Sequence, residues 1–316
     1  MSDARILKIT VLVALLAGSF CAFGQNSGQM QSDQIPTYRT NVKLVNVFVT
    51  ALNQLGQPIA GLQKDNFKLF EDGKPQTISL FSKESELPLS IVLAVDVSLS
   101  TRKDLPLELE SAKKFVHSMV RPQDGLSLFE FSESVDQMTK FTSNLNTIDN
   151  GIKRIHNGAA TALYDAIYLG SQALAKRDGR KVMVVITDGG DTMSQVNYQE
   201  ALRAAQESEA LVYSLIVVPI EADAGRDLGG EHALIQMSDD TGGKYFYAEG
   251  MSQLDKAFQQ ISDELRTQYL LGYYPVKHAS DSDFRHIKVE ITAPDVPNGP
   301  PVARNRTGYY TAKDSF

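Results

Sequence analysis

The sequence predicts an α/β protein: a doubly wound, mostly parallel six-stranded sheet, joined to a smaller all-β unit built from the N- and C-terminal flanks. Three observations carry this expectation. Between residues 87 and 266, apolar, partly β-branched runs of strand length alternate with segments whose apolar residues recur at helical spacing. On either side of that region the apolar period changes to two. One apolar run, residues 89–95, ends directly in Asp96-Val97-Ser98-Leu99-Ser100, which sets a carboxylate and two hydroxyls at alternate positions where a buried strand meets a loop.

The chain has 316 residues, room for two domains, and 42% of them are hydrophobic, as a globular protein requires. A net charge of −7 argues against nonspecific nucleic-acid binding through a basic surface.

Residues 1–24 have the plan of a secretory signal peptide. Arg5 and Lys8 come first, residues 9–23 are apolar or small, and polar Gln25-Asn26-Ser27 follows a cleavage site near Ala22-Phe23-Gly24. The apolar run is short for a membrane span, though an uncleaved anchor is the alternative. The expected location is therefore secreted, periplasmic or cell-envelope. The single cysteine, Cys21, lies inside this segment, and Phe20 and Gly18 stand where a lipoprotein signal wants a small and a Leu-like residue. The mature chain would carry no disulfide and no thiol chemistry. Residues 25–37 are polar, and a flexible leader is expected there.

Residues 38–85 follow as a β-strand segment. Val45, Val47 and Val49 alternate with Leu44, Asn46 and Phe48, Asp72-Gly73 marks a hairpin turn, and Ile78 and Leu80 alternate again. In the 87–266 region the strand candidates are 89–95, 126–131, 182–186, 211–218 and 244–247, with an edge strand over 135–141. Three helical faces lie between or after them: Leu109, Ala112, Val116 and Met119; Leu163, Ala166, Ile167, Gly170 and Leu174; and Leu254, Ala257, Phe258, Ile261 and Leu265. Short links between alternating strands and helices imply a parallel sheet covered on both faces. After Thr267 the β pattern returns, through Tyr269-Leu270-Leu271-Gly272-Tyr273-Tyr274, the alternating Ile287, Val289 and Ile291, and Tyr309-Tyr310. Neither flank is large enough to bury a core alone, so the 267–316 segment is expected to pack with 38–85.

Ligands of an open α/β sheet bind at the carboxyl ends of its strands, near the point where strand order reverses. Asp96, Ser98 and Ser100 sit at one such end and Asp188 at another. Thr161 stands at the start of the 162–175 helix, over the same rim. Singly, each has an ordinary alternative: a strand-end carboxylate or a helix cap for Asp96, a cap for the hydroxyls and a turn residue for Asp188. Together they offer two negative charges and three neutral oxygens. A small, hard ion that takes about six oxygens fits this set, so Mg²⁺ or Mn²⁺ is favoured over the more carboxylate-hungry Ca²⁺. A coordination position not filled by the protein would take water or an acidic side chain of a partner.

Those residues resemble the metal-ion-dependent adhesion site of the von Willebrand factor type A (VWA) family, over about residues 87–266. Asp96-Val97-Ser98-Leu99-Ser100 matches its Asp-x-Ser-x-Ser motif, Gly158-Ala159-Ala160-Thr161-Ala162-Leu163 its threonine loop, and Thr187-Asp188-Gly189 its second aspartate. The resemblance implies a Rossmann-like VWA sheet and a metal centre of Asp96, Ser98, Ser100, Thr161 and Asp188. It also implies an adhesion or protein-binding role towards a protein presenting an exposed Asp or Glu, with no nucleic acid and no small-molecule substrate. The flanks, through Val45-Asn46-Val47-Phe48-Val49, Phe70-Glu71-Asp72-Gly73-Lys74 and Tyr269-Leu270-Leu271-Gly272-Tyr273, are similar to those of a secreted bacterial VWA-related subgroup.

Enzymatic signatures are few. There is no phosphate loop of the Gly-x4-Gly-Lys type and no Gly-x-Ser-x-Gly elbow, and none of the five histidines pairs at zinc-ligand spacing. The chain is therefore read as a non-enzyme. The alternatives are a Mg²⁺-dependent hydrolase acting on phosphoesters through Asp96, although Ser98 stands where such enzymes place a second Asp, and an envelope protein whose metal serves stability alone. Partner discrimination is expected from the loops 101–106, 143–160, 193–197 and 220–231.

Overall fold

The computed structural model describes residues 44–83, 87–101, 103–218, 228–276, 284–293 and 299–311. The signal peptide and leader lie outside the described residues, as does most of the 220–231 loop. In chain order the elements are β1 (Val45–Leu52), β2 (Phe67–Glu71), β3 (Lys74–Gln76), β4 (Leu80–Ser82), β5 (Leu89–Asp96), α1 (Leu105–Met119), β6 (Gly125–Phe131), β7 (Val135–Gln137), α2 (Leu145–Ile152), α3 (Leu163–Ala175), β8 (Arg180–Thr187), α4 (Tyr198–Glu207), β9 (Ala210–Val217), α5 (Leu228–Thr241), β10 (Lys244–Ala248), α6 (Met251–Thr267), β11 (Tyr269–Tyr273), β12 (Phe284–Ile291), β13 (Val302–Arg304) and β14 (Gly308–Tyr310).

The central sheet has the order β10-β9-β8-β5-β6-β7. All its pairs are parallel except the antiparallel edge pair β6–β7. Every residue of β5, β6 and β9 is buried, which is why these strands read as unbroken apolar runs rather than as alternation. Side chains alternate between two cores. Ile91, Leu93 and Val95 face α1, α2 and α6, where Phe115 stacks on Phe258 with centroids 4.6 Å apart. Val92 and Ala94 face α3, α4 and α5. The chain adds β6 and β7 on one side of β5, then β8, β9 and β10 on the other. Strand order therefore reverses between β5 and β8, the place where open α/β sheets bind ligands at the carboxyl ends of their strands.

The edge strand is shorter than the sequence pattern suggests. The Met138 and Thr139 N–H groups both donate to the Leu128 carbonyl, a bulge that ends regular pairing after Gln137.

The flanks supply two antiparallel four-stranded sheets, β13-β1-β11-β4 and β14-β12-β2-β3. Val45 pairs with Tyr273 and Val49 with Tyr269, while Phe67 pairs with Ile291 and Glu71 with Ile287. Segments from before and after the central sheet thus complete each other, around a common core that includes Val47, Val49, Phe67, Leu69, Tyr269, Leu271, Ile287 and Val289. Burial of side chains this size contributes about 1.5–3 kcal/mol each. At the β2–β3 turn, Asp72 (φ 47°) and Gly73 (φ 75°) both adopt left-handed backbone, the two-residue hairpin that an Asp-Gly pair specifies.

Candidate metal centre

The motif loop begins on β5. Asp96 is fully buried at the strand's last position, and its carboxylate is held on two sides. Oδ1 accepts from the Ser98 N–H at 2.9 Å, and Oδ2 accepts from the Thr187 hydroxyl at 2.6 Å. Ser98 and Ser100 Oγ lie 3.0 Å apart, so the two motif hydroxyls converge. Thr101 closes the loop by donating to the Asp96 and Ser98 carbonyls, both at 3.1 Å. Its own carbonyl accepts the Leu105 N–H at 2.9 Å, so the motif runs straight into α1.

Asp188 stands one residue beyond β8, next to β5 in the sheet. Thr187 binds the two strand ends together: while donating to Asp96, its Oγ1 accepts the Gly189 N–H at 3.1 Å. Asp96 is pushed up to about 6 by burial, against the opposing hydrogen bonds of Thr187 and Ser98, and the neighbouring Asp188 charge raises it further.

The threonine loop is tied through its backbone to the segments that follow both strands. The Gly158 N–H donates to the Val97 carbonyl at 2.7 Å, and the Thr161 carbonyl accepts from Thr192 N–H at 2.9 Å and Met193 N–H at 3.2 Å. Glu133 Oε2 accepts from the Ala159 N–H at 2.8 Å. The helix begins at Leu163, with Ala162 as its cap and no side-chain capping bond. Thr161 is therefore not the helix cap, and its hydroxyl makes no bond of that kind. Asp191, after β8, serves structure: it accepts from the Tyr164 N–H at 3.2 Å and from the Ser194 hydroxyl at 2.5 Å, clipping the loop to α3.

Backbone links and strand order thus gather the segments bearing all five sequence-selected residues at one end of one sheet. Among the described residues no group of three or more His, Cys, Asp or Glu is arranged to hold a metal. A cation here would rest on two carboxylates plus hydroxyls. The all-oxygen donor set with its buried carboxylate suits a small hard divalent ion.

Three further residues take part that the sequence alone does not single out. Thr187 precedes Asp188 in the motif, yet its role became visible only once β5 and β8 were adjacent. Glu133 is exposed and distant in sequence from the loop it holds. Glu108, in the first turn or so of α1, is fully buried, and neither carboxylate oxygen has a hydrogen-bond partner in the protein. Its signal was present: the buried stripe of α1 runs Leu105, Glu108, Ala112, Phe115, Val116 and Met119, with a carboxylate at an apolar position. Burial raises Glu108 well above the usual carboxylate range, and the charges of Asp96, Asp104 and Asp188 add to this.

Residues 91–190 match the family model of the von Willebrand factor type A domain. No curated protein matches the chain. A solved von Willebrand factor type A structure from Catenulispora acidiphila is 10% identical, covers 88% of this chain and 76% of its own, and has a TM-score of 0.50. The conserved hypothetical protein BatB from Bacteroides thetaiotaomicron is 21% identical over 57% of this chain and 100% of that one, with a TM-score of 0.46. The vWF domain of the type V pili tip protein Mfa5 from Porphyromonas gingivalis is 12% identical over 56% and 94%, with a TM-score of 0.46. Residues 91–190, which hold β5 to β8 of the six-stranded, mostly parallel sheet, thus match a von Willebrand factor type A domain.

Proposed function

We propose that the protein is a secreted or cell-envelope adhesion module that captures a partner protein through a divalent cation. Asp96, Ser98, Ser100, Thr161 and Asp188 would hold Mg²⁺ or Mn²⁺, and the ion would take an Asp or Glu carboxylate of the partner. The observation that carries this reading is the convergence at the β5–β8 strand ends: a buried Asp96, the Asp188 charge beside it, and a threonine loop hydrogen-bonded to the segments that follow both strands. Two carboxylates neutralise a divalent ion without satisfying it fully, which leaves it electrophilic towards an external carboxylate. Exposed Leu99, inside the motif, and exposed Met193, bonded through its N–H to Thr161, would give a partner apolar footing beside the ion. Among the described residues no helix is long and apolar enough to cross a membrane; the envelope location rests on the N-terminal signal pattern.

The test is affinity capture from the native envelope, with the full chain as bait, in Mg²⁺ and in EDTA. Capture should need the ion, and Asp96→Ala should abolish it while leaving the far-ultraviolet circular dichroism spectrum unchanged. Capture by Asp96→Ala in EDTA at the wild-type level would refute the mechanism. A phosphoester turnover screen in Mg²⁺ addresses the hydrolase alternative, which predicts activity that Asp96→Asn removes.

A further inference from the structure

We infer that Glu108 is a positioning residue of the cation centre, a third carboxylate that holds an ion-bound water from the buried side; this rests on the metal-binding reading above. The placement is specific. The motif loop passes directly into α1 through the Thr101–Leu105 hydrogen bond, and Glu108 stands in the first turn of that helix. Glu108 points into the interior there, with no exposed surface and with both oxygens unpartnered in the protein. The charges that act on it are Asp96, Asp104 and Asp188, two of which are the carboxylates proposed to bind the ion. One turn further along the same buried face, Ser111 Oγ is also buried without a hydrogen-bond partner in the protein.

A buried carboxyl beside other carboxylates holds a proton unless a cation, or water polarised by one, faces it, so an ion at the centre would favour its charged form. The three carboxylates do not form a group that could itself hold a metal, so direct ligation by Glu108 does not fit. A water on the ion's inner side, donating to Glu108, satisfies the orphaned oxygens and anchors the ion. The site would then have two kinds of carboxylate. Asp96 and Asp188 are at the ion itself, and Glu108 supplies charge at one remove. Affinity would rise without using the outward position reserved for the partner.

The experiment measures Mn²⁺ affinity by titration calorimetry on the full chain, for wild type, Glu108→Gln, Glu108→Asp and Asp96→Asn, with thermal melts of each in EDTA. Wild type should bind one ion, Asp96→Asn none, and Glu108→Gln should bind about tenfold or more weakly while melting in EDTA no lower than wild type. Glu108→Asp should recover part of the lost affinity. Equal or tighter binding by Glu108→Gln, with Asp96→Asn inactive, overturns this inference alone. A lower melt with unchanged affinity in Glu108→Gln assigns the residue a purely structural role and also overturns it. Failure of the wild type to bind Mn²⁺ would remove the metal-binding reading itself, and this inference with it.

Discussion

At the scale of single residues, Asp96 sets the pH behaviour of the centre. Its carboxyl, pushed up to about 6 mainly by burial, binds a proton more tightly in the folded chain than the ordinary value of 3.8 allows in the unfolded one. Without a cation, stability contributed at this position is therefore greatest below about pH 4, is lost as pH rises through about 6, and changes no further above that. On the proposed metal-binding reading a divalent ion would displace that proton, so the stabilisation it gives should run the opposite way. Differential scanning fluorimetry with Mn²⁺ against EDTA should show a melting-temperature difference that is small near pH 5 and full above pH 7. A pH-independent difference would count against Asp96 as a ligand. Glu133 has the reverse sign. Hydrogen bonds from the Ala159 N–H, its own N–H and the Ala160 N–H lower it from 4.5 to about 2. Its hold on the threonine loop is present above about pH 4.5 and is lost as pH falls towards 2. Glu133→Gln should speed amide hydrogen exchange at Ala159 and Ala160 at neutral pH and leave exchange in β5 unchanged.

At the scale of elements, the seat of α5 is the most constrained contact near the site. Gly230 lies so close to the β8–α4 turn that a Cβ there would fall 1.5 Å from the Gly189 carbonyl oxygen. Gly189 itself has φ 105° and faces Glu231 across the same contact. No side chain can be fitted at 230 without moving backbone next to Asp188. Gly230→Ala should cost about 2–4 kcal/mol, read as a lowered urea midpoint, and should weaken Mn²⁺ binding in parallel. The glycine was visible in the sequence, but its neighbour was not, because residues 189 and 230 meet only through sheet order. The same limit governs the helices. α3 and α6 read well because bulky apolar side chains mark their stripes. α4 buries mainly Ala201, Leu202 and Ala205, a stripe too weak to stand out, although Asn197 and Glu200 form a capping box that announces its start. α2 lay inside what read as the 143–160 loop. Its apolar residues Leu145, Ile148 and Ile152 span barely two turns, and Asn144 caps it by accepting the Thr147 N–H at 3.0 Å.

At the scale of the whole molecule, the central sheet and the positions of Asp96 and Asp188 were legible because buried parallel strands leave long apolar runs that end abruptly in polar loops. How the flanks meet the central unit was not legible, because that junction is polar and joins residues far apart in sequence. Glu264 on α6, almost wholly buried, is paired with Arg304 of β13 and lies 3.5 Å from Lys244 Nζ of β10. Arg306 donates to the Asn46 carbonyl at 2.8 Å and lies 3.4 Å from Glu209, and the Arg203 guanidinium sits over the Tyr310 ring at 4.4 Å. The tail is thus fixed to the β1 sheet and to α4 and α6 at once, and the Arg304–Glu264 pair is the member of this set with the least exposed carboxylate. Removing one partner of a buried ion pair strands the other, at a typical cost of about 3–5 kcal/mol, whereas removing both costs much less. Lys244 stays beside Glu264, so Arg304→Met, which keeps the aliphatic stem, should sit at or just below the lower end, about 2–3 kcal/mol. Arg304→Met with Glu264→Gln should regain most of that. Urea unfolding of the wild type, the single and the double variant measures the difference. A double variant no more stable than the single one would mean that the buried charge is not what the tail neutralises. The tail would then be held by its strand pairing with β1 and by the apolar core shared between the flanking sheets.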